Sequence, residues 1–348
     1  MNSRERVLTT FAHQQPDRVP MWCGASAEFW DKAKKDLKLD DEGLRARFHD
    51  DFRRVSANFN APPVKLQQDI VYRTPFGIDR QGTGYGQPTS HPLADAELKQ
   101  IHNYPWPQAS LVDVSNIRAD AVKYNRQYAI LGGDWSPFWH DAIDLLGMEN
   151  MFIKMYSQPE IVDAVLQHIV DYYIASSQKI FDAVTDSIDI FFIGNDFGSQ
   201  TGPLIGVDLF RRFILPHLNH FVDLGHSYNL KVMMHCCGGV APLIPLMIEA
   251  GLDGLHAVQT SCYGMDLKKL KTQFGNKIVF NGCIDSHHIL IDGSVDYVKQ
   301  KTIDVLNIMA PGGGFIAGAS HDTILEETPV ENVLAMFDTI MEKGYSKK

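Results

Sequence analysis

Short apolar runs alternate with longer amphipathic stretches over the last two thirds of this chain. The apolar runs are "YAILGGDW", "IDIFFIGND", "KVMMHCC", "DGLHAV", "KIVFNGCID" and "GGFIAGASH". The amphipathic stretches cover residues 159–184, 207–228, 240–250, 295–309 and 330–343. Strands that are apolar on both faces are buried on both faces, and their alternation with helices is typical of a parallel sheet with right-handed crossovers.

The number of these runs favours a closed barrel over an open sheet. The runs predict parallel strands at residues 129–135, 188–195, 231–237, 254–258, 277–283 and 314–319. A dinucleotide-binding glycine fingerprint does not follow the first of them, which disfavours an open doubly wound sheet. We therefore expect an α/β fold in which residues 1–348 form one (β/α)8 TIM-type barrel domain with an irregular N-terminal segment rich in Pro and Gly.

Composition and charge exclude several classes of partner. The formal net charge is -10 and basic residues are scattered, whereas nucleic-acid binding needs clustered Lys and Arg. Apolar stretches stay short of the ~18 residues that a membrane span requires. The first residues carry no apolar segment typical of a secretory signal, and the cysteine count of five is odd, so we expect reduced thiols and a cytoplasmic protein.

Polar side chains stand at the ends of the predicted strands. In barrels of this kind the chemistry lies at the carboxyl ends of the strands, so we expect these residues to share one rim. They are Asp134, Trp135, Asn195, Asp196, His235, Cys237, His256, Gln259, Cys283, Asp285, Ser320 and His321.

The stretch "KVMMHCCGGVAP" (residues 231–242) contains the strongest candidate for a metal site. Side chains alternate along a strand, so His235 and Cys237 point to one side and Cys236 to the other. Imidazole and thiolate are both zinc ligands, and three protein ligands with an open position are typical of catalytic zinc. Cys283 and His321 are the candidates for completing the set. The alternative is a buried histidine beside small core side chains.

Other rim residues are candidates for acid–base chemistry and substrate binding. Asp196 and Asp285 are the candidate catalytic carboxylates. A carboxylate at the barrel mouth has a raised pKa unless a cation or donor keeps it ionised, so Asp196 either orients substrate or acts as a general acid. The candidate substrate-binding residues are Trp135, Asn195, Gln200, Gln259 and His140.

Five segments of the chain resemble the uroporphyrinogen decarboxylase superfamily. They are "RERVLTTFAHQQPDRVP", "NDFGSQTGPL", "HCCGGVAPLIPLMIEAGLDGLHAVQ", "LKTQFGNKIVFNGCID" and "GGGFIAGASHDTILEETPVENVLAMF". The resemblance covers nearly the whole chain in the same order, and it implies a (β/α)8 barrel. True decarboxylases of this family carry an arginine-rich "RQAGR" stretch after the first strand, where this chain reads "MWCGASAEFWDKAKK" without arginine.

The resemblance therefore favours the cobalamin-dependent methyltransferase branch, which binds zinc through His-x-Cys and a later cysteine. His235 and Cys237 match the first two ligands, and His321 lies near the place of the third. This branch implies zinc, a small substrate such as a thiol, methoxy or methylamine compound, and a corrinoid carried on a separate protein. A homodimer is compatible with the sequence.

Two other functions remain open at this point. One is a metal-independent decarboxylase acting on a carboxylated substrate, with Asp196 or Asp285 as the acid. The other is a binding barrel without catalysis, which the concentration of ionisable residues on one rim disfavours. Metal content distinguishes the first alternative from the methyltransferase.

Overall fold

Seven parallel strands form the central sheet of the computed structural model, which describes residues 1–60, 70–82, 86–124, 126–184 and 186–345. The strands are β1 (Phe52–Arg54), β2 (Ala129–Gly132), β3 (Ile190–Gly194), β4 (Lys231–His235), β5 (Gly254–Val258), β6 (Val279–Ile284) and β7 (Phe315–Ala319). They neighbour one another in chain order, and every pairing is parallel. The six predicted strands are thus confirmed, and β1 is an additional one.

An extended segment at residues 20–22 closes the sheet into a barrel. On one side, Met21 forms a parallel bridge with Ala317 of β7, and Trp22 N donates to Ala317 O at 2.9 Å. On the other side, Asp51 N donates to Met21 O at 3.0 Å, just before β1 begins. The segment takes the eighth position, so the predicted eight-stranded barrel is confirmed.

The barrel interior and its outer layer have separate apolar clusters, as strand alternation requires. The interior cluster consists of Val7, Phe11, Trp22, Phe52, Ala129, Leu131, Ile190, Phe192, Met233, Val279 and Ile316. Along β4, Met233 belongs to this interior cluster, whereas Met234 and Cys236 belong to the larger cluster between the sheet and the helices. His235 and Cys237 therefore face the inside of the barrel.

The N-terminal helix Ser3–Phe11 contributes Val7 and Phe11 to the barrel interior. Its Arg6 shares the fully buried Asp51 with Arg18, at 2.9 Å and 2.8 Å. Because the carboxylate also accepts from Met21 N at 2.8 Å, its charge is balanced inside the protein. This network anchors the helix to the closing segment.

Helices cover the outside of the barrel. They are Ala27–Leu37, Asp41–Arg47, Leu98–His102, Ile117–Tyr124, Phe138–Leu146, Met148–Ser157, Pro159–Ala183, Val207–Leu209, Leu215–Ser227, Ile244–Glu249, Leu267–Phe274, Val295–Met309 and Val330–Lys343. Single 3-10 turns occur at Ala109–Leu111 and Ala241–Leu243, and π-helical turns at Phe210–Ile214 and Ser286–Ile291. In the described part of the chain, every helix is too short or too polar to cross a membrane.

Small antiparallel sheets occupy the region that the sequence predicts to be irregular. Ile70–Arg73, Asp79–Gln81 and Gln87–Pro88 form one sheet, and Asn58–Phe59 pairs with Val112–Asp113. A further pair, Gly198–Ser199 with Gly202–Pro203, lies in the loop after β3. These elements lie outside the barrel sheet.

Candidate metal centre

Asp196, His235 and Cys237 meet where β3 and β4 end. His235 is the last residue of β4, and its register partner in β3 is Gly194, two residues before Asp196. Because the strands are parallel and adjacent, residues just beyond their carboxyl ends are brought to the same point of the rim. The sequence-based expectation of one shared rim holds for these three residues.

The three side chains offer a nitrogen, a sulfur and an oxygen to a common centre. His235 Nε2 lies 3.3 Å from Asp196 Oδ1 and 3.3 Å from Cys237 Sγ. Tetrahedral zinc, with metal–ligand distances of about 2.0–2.3 Å, keeps neighbouring donor atoms roughly 3.3–3.8 Å apart. The donor types and the spacing therefore both fit zinc, with Asp196 as the third donor.

The turn after Cys237 explains the first glycine of "HCCGG". Gly238 has a φ of +92°, and a Cβ there would lie 2.4 Å from the Gly198 backbone. Cys237 N donates to Asp196 Oδ1 at 2.8 Å, and Gly238 N donates to Gln259 Oε1 at 2.7 Å. The close backbone approach thus places the thiol and the carboxylate side by side.

A second group of donor atoms shares His235. It consists of His235, His256 and Asp322, whose ligand atoms lie within 4.8 Å of one another. His256 is fully buried, and its Nδ1 lies 3.1 Å from His235 Nδ1. The imidazole of His235 therefore presents one nitrogen to each group.

Asp196 and His235 form an ion pair at this site. Cys237 and His256 beside them are neutral. Burial works to raise the pKa of Asp196, but hydrogen bonds from His140 and His235 outweigh it and hold that pKa well below its usual range. Burial opposes charge on His235, yet Asp196 and Cys237 keep its pKa well above the usual value. Burial raises the pKa of the Cys237 thiol, and burial together with the charge of His235 lowers the pKa of His256.

The surroundings of Asp196 favour an ionised carboxylate over a general acid, the two roles that the sequence leaves open for it. A general acid needs a protonated carboxyl near neutral pH, whereas the two imidazoles keep Asp196 as a carboxylate even without metal. The carboxylate of Asp196 is an acceptor that orients His140 and His235, at 3.4 Å and 3.3 Å.

We expect the zinc affinity of the site to rise with pH. Zinc must displace the protons of His235 and Cys237, and both groups hold their protons more tightly than usual in the metal-free protein. Below the raised pKa values, affinity should therefore increase by up to about tenfold per pH unit for each proton displaced. Chelator competition between about pH 6 and about pH 9 measures this. A flat profile would contradict the assignment of these two ligands.

Trp135 and Arg54 border the mouth beside the donor group. The Trp135 ring lies 5.7 Å from the His235 ring, and the Arg54 guanidinium lies 5.1 Å from the Trp135 ring. Gly194 makes room for the indole, because a Cβ there would lie 1.9 Å from it. Arg54 lines three adjoining cavities of about 520, 200 and 440 Å³, and the last of these also includes Asp322.

The structure places the remaining predicted substrate-binding residues at different depths. Asn195 is fully buried, with its Oδ1 accepting from Trp139 N and its Nδ2 donating to Ser136 O. It holds the loop after β2 and lies behind the rim. His140 is half-exposed in the first turn of the helix Phe138–Leu146, whereas Gln200 is exposed and accepts from Tyr263 N through its backbone oxygen. Direct contact of these residues with substrate stays a prediction.

Asp285, Cys283 and His321 lie apart from the first donor group. Asp285 caps the π-helical turn by accepting from His287 N and His288 N at 2.9 Å and 2.7 Å. Cys283 is fully buried in the outer apolar cluster, and burial raises the pKa of its thiol. His321 Nδ1 faces the backbone of Thr323. Their ligand atoms are not part of either donor group that the described residues form.

Sequence reasoning assigned no role to His256, Asp322 or Arg54. His256 stands among the polar rim residues, but only the register of β4 and β5 pairs it with His235. Asp322 follows the candidate His321 directly, which is a signal that could have found it. Arg54 ends a three-residue strand without an apolar run, so its place at the mouth carries no sequence signal.

A parallel barrel with ionisable residues gathered at the carboxyl ends of its strands is the architecture of a barrel enzyme. The profile of the family described as Uroporphyrinogen decarboxylase (URO-D) matches residues 86–343. The chain belongs to this family, as its sequence resemblance implies.

Relatives in the family carry two different names. A "Methylcobamide:CoM methyltransferase MtbA" from Methanosarcina acetivorans is 21% identical over 342 residues, which cover 90% of this chain and 93% of the relative. A "Uroporphyrinogen decarboxylase" from Nostoc punctiforme is 23% identical and covers 95% of this chain and 94% of its own. A solved methyltransferase structure from Methanosarcina mazei matches 98% of this chain and 99% of that chain, with a TM-score of 0.72 and 19% identity. The structural match supports the fold.

Proposed function

We propose that this protein is a zinc-dependent methyltransferase that moves a methyl group between a small substrate and a corrinoid carried by a separate protein. The observation that carries the proposal is the donor group of Asp196, His235 and Cys237 at the barrel mouth. A relative spanning nearly the whole chain is named a methylcobamide:CoM methyltransferase. That name supports corrinoid-linked methyl transfer for this chain.

The donor group has the chemistry that methyl transfer to or from a thiol requires. Bound zinc would lower the pKa of a coordinated thiol, or polarise a methoxy or methylamine donor. His235, Cys237 and Asp196 would hold the ion. His140 is half-exposed, and its Nε2 lies 3.4 Å from Asp196 Oδ2, so it holds the second oxygen of that carboxylate.

A cavity next to the second donor group has the size of a small-molecule pocket. It has a volume of about 440 Å³, is lined by Trp22, Phe52 and Leu131 on its apolar side and reaches Asp322, but Asp196, His235 and Cys237 are not part of its lining. About a third of the Asp196 side chain is exposed, so the donor group is accessible from outside the barrel.

The alternative, a metal-independent decarboxylase, has less support. It needs a carboxylic acid that can donate a proton, whereas the hydrogen bonds to Asp196 favour its ionised form. One oxygen of Asp285 already accepts hydrogen bonds from two backbone N–H groups. Because one relative is named a uroporphyrinogen decarboxylase, decarboxylation is the competing outcome of the test.

Metal analysis combined with an activity assay tests the proposal. We expect the full chain, purified without chelator, to carry ~1 zinc ion and to demethylate methylcobalamin with at least one member of a panel of small thiols. Metal-free protein that releases carbon dioxide from a carboxylated substrate would contradict the methyltransferase and support the decarboxylase.

A further inference from the structure

We infer that His256 is a positioning residue that sets the ring of His235 for metal binding by accepting a hydrogen bond from His235 Nδ1. The inference rests on the proposed metal site. It concerns a residue that would not touch the ion, so it is tested apart from catalysis.

The strand register brings the two imidazoles together. His235 of β4 and His256 of β5 are direct register partners on neighbouring parallel strands, and both side chains are buried. Their Nδ1 atoms lie 3.1 Å apart. Two ring nitrogens at that distance form a hydrogen bond only if one carries a hydrogen and the other does not.

The other nitrogen of His235 decides the direction of this bond. His235 Nε2 faces Asp196 Oδ1 and Cys237 Sγ, both at 3.3 Å. A nitrogen that binds a metal must carry no hydrogen, so the neutral ring has its hydrogen on Nδ1. His235 Nδ1 therefore donates, and His256 Nδ1 accepts. The hydrogen of His256 then stands on Nε2.

Packing holds His256 in the accepting orientation. Its ring lies 4.8 Å from Trp22 and 5.4 Å from Phe192, centroid to centroid. His256 Nε2 is buried and has no hydrogen-bond partner among the described residues. The bond to His235 is therefore the polar contact that accounts for an imidazole inside an otherwise aromatic wall. Metal-bound histidines are commonly held in this way through their second nitrogen.

The competing assignment uses the other donor group as the metal site, with His256 and Asp322 as ligands. The Nδ1 atom of His235 would then have to bind the ion without a hydrogen, and the His235–His256 bond would be lost. Zinc's preference for the Cys237 thiolate favours the first group.

Two substitutions at position 256 separate positioning from packing and from ligation. Asparagine places its Oδ1 where the imidazole has Nδ1, so His256→Asn keeps the hydrogen-bond acceptor. His256→Phe keeps an aromatic ring but removes the acceptor. By chelator competition on the full chain, we expect zinc affinity to fall about 10–100-fold in His256→Phe and to stay within about threefold of wild type in His256→Asn. Asp322→Asn is the matched control and should bind zinc like wild type.

The remaining outcomes overturn the inference. Wild-type affinity in His256→Phe would mean that the bond does not orient His235, and equal losses in both variants would mean that the imidazole itself is the ligand or a packing element. Loss in Asp322→Asn would place the ion in the second group. Circular dichroism and melting curves establish that each variant is folded. Wild-type protein that binds zinc without transferring methyl groups would refute the proposed function alone.

A readout without metal checks the same bond. Long-range ¹H–¹⁵N spectra of metal-free protein with ¹⁵N-labelled histidine should give His256 a hydrogen on Nε2 and none on Nδ1. A hydrogen on His256 Nδ1 would reverse the direction of the bond and refute the inference.

Discussion

Zinc binding is expected to fall by more than about 100-fold in the Cys237→Ser variant, which exceeds the usual effect of losing a supporting contact. Cys237 Sγ lies 3.3 Å from His235 Nε2. A serine hydroxyl stays protonated near neutral pH and is a poorer zinc ligand than a thiolate. Methyl transfer should be lost together with the metal. Metal content after gel filtration and chelator competition measure the effect.

The neighbouring Cys236 provides a control on the same strand. Its side chain is 1% exposed, faces the outer cluster, and accepts from Phe197 N at 3.3 Å. A serine hydroxyl can accept the same hydrogen bond, so Cys236→Ser should keep its zinc. Equal losses in both variants would show that the thiol of Cys237 has no special role.

Methyl transfer is expected to fall by at least ~100-fold in the Asp196→Asn variant, the effect of losing a positioned ionisable group. The carboxylate accepts from Cys237 N at 2.8 Å and faces His140 and His235 through separate oxygens. Asparagine can keep the bond to Cys237 N but carries no charge. The variant should therefore bind zinc more weakly, and its side chain can no longer accept hydrogen bonds from both His140 and His235. Steady-state rates and zinc affinity should both decrease.

Asp285 is the matched control, because it also follows a barrel strand and is also a candidate catalytic carboxylate. It caps backbone groups of His287 and His288, a role that asparagine also fills. Asp285→Asn should therefore retain zinc and most of the activity. If Asp196→Asn turned over like wild type while Asp285→Asn did not, the assignment of the two carboxylates would be reversed.

The fold could be predicted wherever strands are long and apolar. Six barrel strands stand out as runs buried on both faces, and all six are present. The two missed parts are the three-residue strand β1, which contains Arg53 and Arg54, and the closing segment at residues 20–22. Their sequences contain no apolar run of strand length, and their conformation depends on pairing with residues distant in the sequence.

The site could be predicted in part, because alternation along a single strand is a local property. Alternation places His235 and Cys237 together and turns Cys236 away, as the structure has them. Which residues from other strands join them depends on register. The register brings Asp196 and His256 to His235 and leaves Cys283 in the outer layer.

The closure of the barrel by residues 20–22 determines when this protein can complete its fold during synthesis. Met21 needs Ala317 as its partner, yet the ribosome releases Met21 long before β7. Until then, the early strands present open edges, which are prone to pair with other chains, and closure between such distant segments is slow. Nascent chains that stop before β7 are therefore candidates for chaperone binding and aggregation.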